Sequence, residues 1–228
     1  MMPANNTLLR IGLTITLALF AVGTARAEAP VTRDDIVKQL NRLDAAPELD
    51  LAALRQQVLE RAKTRIKNDP GPVNRPPVAP ELKGLPSFVT PVQFDIDTPI
   101  IQPESYQTIG QIADALVHAS LLPYTFLIVG RTESTGRREA NVILSQRRAD
   151  AVRDVLVRTF KISAKRIQAI GLGEEQLLDP ARPAATANGQ LEILTLSKSI
   201  ENEPPPAASL PPPARTKQVQ KNKPHPLQ

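Results

Sequence analysis

Residues 87–198 predict an α+β domain, a two-layer α/β sandwich in the order βαβαββ. Three observations carry this. A continuous apolar run at 125–129 stops at Gly130. A helical period then begins after a polar turn and holds to Phe160. Two more short apolar runs follow, at 167–172 and 191–196.

The chain has 228 residues, room for one ordinary domain plus appendages. It lacks Cys, so it has neither disulfides nor thiolate metal sites. Two histidines, His118 and His225, are too few for a usual zinc site. Aromatics are 3% and Pro numbers 23, so the compact core is only part of the chain.

The N-terminus carries Arg10, then an apolar run at 11–22 too short to span a bilayer comfortably, then Ala25-Arg26-Ala27. This predicts a secretory signal over 1–27, with an uncleaved anchor as the alternative. No Cys follows for lipid attachment. Cleavage removes Arg10, Arg26 and no acid, so the net charge falls from +5 to +3. That is not the balance of a nucleic-acid binder.

Residues 28–68 predict a short helical segment. Thr32 with Asp35 forms a cap signature before Ile36, Leu40 and Leu43. Asp50 caps a second helix striped by Leu51, Leu54, Val58, Ala62 and Ile66. The stripe is narrow, so a small hairpin, a partner-binding segment and a weakly stable spacer all remain open. Residues 69–86 contain Pro70, Pro72, Pro76, Pro77, Pro80 and Pro86, and predict a semi-rigid linker. Nothing here alternates like a membrane β-barrel.

Phe88, Val89, Val92 and Phe94 predict a first strand, irregular near Pro91. Pro103 and Glu104 open a helix with Tyr106, Ile109, Ile112, Ala113 and Leu116 as its stripe. In the helix that ends at Phe160, one side carries Asn141, Ser145 and Arg148 before it turns apolar at Val152 and Val155. An arginine on an inward side needs a partner, and Glu133 in the preceding turn is the candidate. Residues 199–228 hold two Pro triplets and four late basic residues, and predict a disordered tail.

The stretch Gly130-Arg131-Thr132-Glu133, Gly136, Asn141, Leu144-Ser145, Arg148-Ala149, Val152 and Leu156 resembles the signature of the OmpA-like domain family. The resemblance covers roughly 88–197. It implies a mixed sheet with helices on one face, and non-covalent binding of peptidoglycan. By resemblance, Glu133 and Arg148 hold the two ends of a diaminopimelate side chain. Thr132 and Asn141 would fix the turn or donate to the ligand. The sequence departs from the family pattern at Arg131, Glu133, Leu177 and the pair Gly189-Gln190, which implies weakened binding.

These readings predict a periplasmic protein associated with the cell wall or outer membrane. The alternative is an interaction protein that binds another envelope protein, through the N-terminal helices. The residues alone also leave open that Glu133 and Arg148 merely pair and close the turn. An enzyme is not expected, because no nucleophile–base pair, phosphate loop or metal-ligand spacing is present. No cofactor is implied, and the mature chain is expected to lack a transmembrane segment.

Overall fold

The computed structural model describes residues 31–43, 47, 49–64 and 71–198. The expected signal segment at 1–27 and the expected tail at 199–228 lie outside these residues. Among the described residues no helix is long and apolar enough to cross a membrane.

The predicted order is present. Strand β1 (Ser87–Thr90) leads to helix α4 (Ser105–Leu116), strand β2 (Tyr124–Arg131), helix α5 (Arg138–Arg158), strand β3 (Ile167–Gly173) and strand β4 (Leu191–Lys198). Ahead of them lie α1 (Arg33–Leu40), α2 (Leu51–Lys63) and the single turn α3 (Gly71–Asn74). The sheet order is β1-β4-β2-β3. Strand β3 runs parallel to β2, and β4 is antiparallel to both β1 and β2. The class is α+β with a mixed sheet, as the sequence predicts.

Alternation along each strand divides the core in two. Phe126, Ile128, Ile167, Ala169, Leu191 and Ile193 face a cluster built from α4, α5 and α1. Leu127, Val129, Ile170, Leu172, Leu194 and Leu196 face a second cluster. The domain's own helices α4 and α5 pack in the first cluster. The second is closed by α2, through Leu51, Leu54, Val58 and Ala62, together with Val78, Ala79 and Leu82. The N-terminal segment therefore adds a layer to the sheet.

Two expectations need correction here. Helices α1 and α2 are not spacers, because their apolar stripes are buried. Ile36 and Leu40 are fully covered, and Thr195 Oγ1 donates to the Leu40 carbonyl at 2.7 Å. Each buried Leu or Ile contributes about 1.5–3 kcal/mol, which short helices lack in isolation. The caps are as read: Thr32 and Asp35 form a capping box, and Asp50 accepts from Ala52 and Ala53. Likewise residues 71–86 are not an extended linker. Ala79 donates its N–H to Gln176 Oε1 at 2.9 Å, and Val78 and Leu82 are buried.

Helix α5 rests on the sheet where side chains are missing. A Cβ at Gly130 would collide with the Ser145 carbonyl, and one at Gly171 with the Gln146 backbone. This close approach explains why Ser145 faces inward. Its hydroxyl donates to the Val142 carbonyl at 2.9 Å and accepts from Gly173 N–H at 2.9 Å. The outer edge of β3 is occupied by side chains. Gln146 Oε1 accepts from Gly171 N–H at 2.8 Å, Arg153 donates to the Ile167 carbonyl at 2.9 Å, and Arg55 of α2 donates to the Ala169 carbonyl at 2.7 Å.

Candidate functional site

Three pieces of chain meet at the end of the sheet. The first is the loop after β1. Phe94 and Ile101 bridge across it, Asp95 N–H bonds the Ile100 carbonyl at 2.9 Å, and Asp97 turns the chain at φ 56°. An aspartate tolerates that left-handed conformation better than most side chains. The second is the turn holding Glu133, followed by Arg148 on α5. The third is the turn at 186–190. They enclose a cavity of about 300 Å³ lined by Phe94, Ile96, Asp97, Glu133, Arg148 and Gly189, among others.

Arg148 is fixed by the first loop. Its Nε donates to the Thr98 carbonyl at 3.0 Å, and its guanidinium lies over the Phe94 ring, 5.1 Å from the centroid. A longer contact of 3.5 Å joins Nη2 to the Asp95 carbonyl. Burial lowers the Arg148 pKa from its ordinary value, and the Glu133 and Asp97 carboxylates oppose that shift. The group stays charged, since arginine does not deprotonate in proteins. Its Nη1 has no hydrogen-bond partner among the described residues.

Glu133 is half-buried, and its carboxylate has no hydrogen-bond or ion-pair partner among the described residues. The expected pairing with Arg148 is not formed: the loop carbonyls of Asp95 and Thr98 and the Phe94 face take the guanidinium instead. The two charges share the cavity and neither satisfies the other. The peptide N–H groups of Ile96 and Asp97, in the same loop, likewise have no acceptor among the described residues.

Thr132 and Asn141 are not among the residues that line the cavity. Thr132 is buried, with its N–H on the Gly173 carbonyl and its hydroxyl without a hydrogen-bond partner. Asn141 donates to the Thr135 carbonyl at 2.8 Å and to Glu174 Oε2 at 2.8 Å. It fixes the turn, one of the two roles expected for it. Arg131 is also outside the cavity. Its guanidinium bonds Glu192 at 2.7 Å and its Nε donates to the Gln176 carbonyl at 2.8 Å, while burial lowers its pKa against the pull of Glu192.

Sequence reasoning missed the first loop, whose contribution is largely backbone and leaves little trace in residue types. Phe94 was expected within the first strand, whereas β1 ends at Thr90 and Phe94 begins the loop. The signal available was Asp97 followed by Thr98-Pro99, a turn composition. It also missed a buried ion cluster behind the turn. Glu175 receives Arg138 through two bonds of 2.8 and 2.7 Å, with Arg61 at 3.2 Å and Arg75 at 3.9 Å. Glu174 takes Arg75 at 3.0 Å.

A larger cavity of about 500 Å³ lies between α2 and α5, lined by Arg55, Leu59, Val142, Gln146, Asp150 and others. Two of its polar groups are engaged within the protein: Arg55 donates to the Ala169 carbonyl, and Gln146 bonds Asp150 at 3.1 Å. Among the described residues no group of three or more His, Asp or Glu side chains is disposed to hold a metal ion.

A profile of the OmpA family matches residues 93–189. The chain is 35% identical over 112 residues to outer membrane porin F of Pseudomonas aeruginosa, covering 49% of this chain and 31% of that protein. It is 34% identical over 83 residues to the peptidoglycan-associated lipoprotein of Brucella melitensis, covering 36% of this chain and 48% of that one. Less than half the length of either relative is matched. Among solved structures, the peptidoglycan-associated lipoprotein of Burkholderia pseudomallei is similar at 28% identity, with a TM-score of 0.38 over 56% of this chain and 97% of that chain. The matched stretch begins in the loop that holds Arg148 and ends in the turn beside Glu133, so residues 93–189 of this chain are a domain of the OmpA family.

Proposed function

We propose that this is a cell-envelope protein of the periplasm that holds peptidoglycan non-covalently in the cavity between Glu133 and Arg148. The observation that carries the reading is a pair of opposite charges in one cavity with no hydrogen bond or ion pair between them. A cavity of that kind suits a zwitterion. The free end of a diaminopimelate side chain presents an ammonium and a carboxylate on one carbon. The Glu133 carboxylate accepts from the ammonium. The carboxylate takes the Nη1 end of Arg148 and the N–H groups of Ile96 and Asp97, as charge-assisted hydrogen bonds. Nε of Arg148 is already engaged by Thr98, so the clasp is end-on through the two Nη atoms.

Similarity to a peptidoglycan-associated lipoprotein supports the ligand class, and the composition of residues 1–27, which is that expected of a secretory signal, supports the compartment. In this reading the cavity recognises its ligand without making or breaking a bond. The competing interaction-protein reading relied on the N-terminal helices, whose apolar stripes are already buried against the domain.

The test is co-sedimentation of the exported protein with purified diaminopimelate-type sacculi. Retention that free meso-diaminopimelate competes away supports the proposal. Failure to sediment, by a protein shown to be folded, overturns it.

A further inference from the structure

The Glu133 carboxylate lies directly against the backbone of Gly189. A Cβ built on Gly189 would stand 2.6 Å from Glu133 Oε1, 3.0 Å from Cδ and 3.1 Å from Oε2. All three atoms belong to one carboxylate, so the whole charged group rests in the space that a side chain at 189 would fill. No hydrogen bond or ion pair within the described residues holds that carboxylate. Its position is set by shape, with Gly189 as the seat.

We infer that Gly189 is a specificity-determining residue of the cavity, matched to the length of the side chain at 133. A glutamate reaches the seat only when residue 189 has no side chain. An added methyl displaces the carboxylate towards Asp97 and Arg148, which line the same cavity. There it repels one group and pairs with the other, and in both cases it stops facing the ligand ammonium. A shorter acid removes the conflict, because taking out one methylene withdraws the carboxylate by about 1.5 Å. The 2.6 Å collision then becomes ordinary contact near about 4 Å. The long acid at 133 thus requires that residue 189 have no side chain, and a short acid lifts that requirement.

The inference rests on the proposed reading of the cavity for its binding consequence, but its geometry stands alone. The experiment compares the exported full-length protein with Gly189→Ala and with Gly189→Ala combined with Glu133→Asp. Affinity for diaminopimelate-type sacculi should fall at least about tenfold in the first, the loss of roughly one charge-assisted hydrogen bond. Most of it should return in the double variant, with melting temperatures unchanged throughout. A purely structural role for Gly189 would lower the melting temperature and show no rescue by the shorter acid. Equal binding by wild type and Gly189→Ala would overturn the inference and leave the peptidoglycan reading intact. If wild type itself fails to bind, that reading falls, and a crystal structure of Gly189→Ala decides the pairing. A displaced Glu133 carboxylate upholds it, and an unmoved one overturns it.

Discussion

Glu133, in the turn before α5, and Glu175, just after β3, differ in their electrostatic surroundings. The side chain of Glu175 is fully buried and receives Arg138, Arg61 and Arg75, the last two from the N-terminal segment. Glu133 is half-buried and unpaired, while Arg148 across the cavity is held by carbonyls and a ring. One carboxylate closes the structure, and the other is the one proposed above to meet a ligand. A buried charge must be satisfied by the protein itself, whereas a charge at a cavity can be left for a ligand. The difference is therefore a guide to which charges stabilise the fold and which act on a partner.

The sharpest way to test that division is Glu175→Gln. It leaves three guanidiniums around a neutral amide, and breaking a buried pair costs about 3–5 kcal/mol. Denaturant unfolding should show that loss, and a change below about 1 kcal/mol would mean that the cluster is solvated. Next is Leu54→Ala, which opens the layer formed by α2 and should lower stability by about 2–4 kcal/mol. Proteolysis should then cut within α2 before the domain is lost, and simultaneous loss would show that the layer is inseparable from the sheet. On the other side of the comparison, Arg148→Ala should reduce retention by sacculi by at least about 2 kcal/mol, as for a charged partner removed from a binding site. Its melting temperature should move only slightly. A large drop in melting temperature with retained wall binding would make Arg148 a structural residue. The smallest effect is expected from Glu133→Gln. Stability should change by no more than about 0.5 kcal/mol, because the carboxylate has no partner to lose. Wall binding should weaken about tenfold, and unaltered binding would show that the ammonium is held elsewhere.

Much of the fold was legible because it is written in apolar side chains at fixed periods. The runs at 125–129, 167–172 and 191–196 all fall within strands, each slightly longer than its run. Helix α4 departs from its expected stripe only at Tyr106, which is largely exposed. What escaped was information carried between distant positions. The stripes of α1 and α2 were visible, but the surface that covers α2 is assembled from three strands far along the chain, and α1 packs in the cluster that holds α4 and α5. Proline count suggested an extended 71–86, although Val78, Ala79 and Leu82 are apolar enough to dock. At the site, Glu133 and Arg148 could be found as charges in a pattern. The backbone that orients Arg148 could not, since a carbonyl looks alike in every residue. The departures at 133 and 189 looked like two separate losses in the sequence, and the structure brings them into contact.

The sealed margin of β3 has a further consequence for life in a crowded compartment. With Gln146, Arg153 and Arg55 occupying its outer groups, that side of the sheet cannot template a strand from a neighbouring molecule. The opposite margin is β1, only four residues long and bounded by Pro86 and Pro91. Neither border invites fibril growth or strand exchange, so copies of this domain can crowd together without fusing into a continuous sheet.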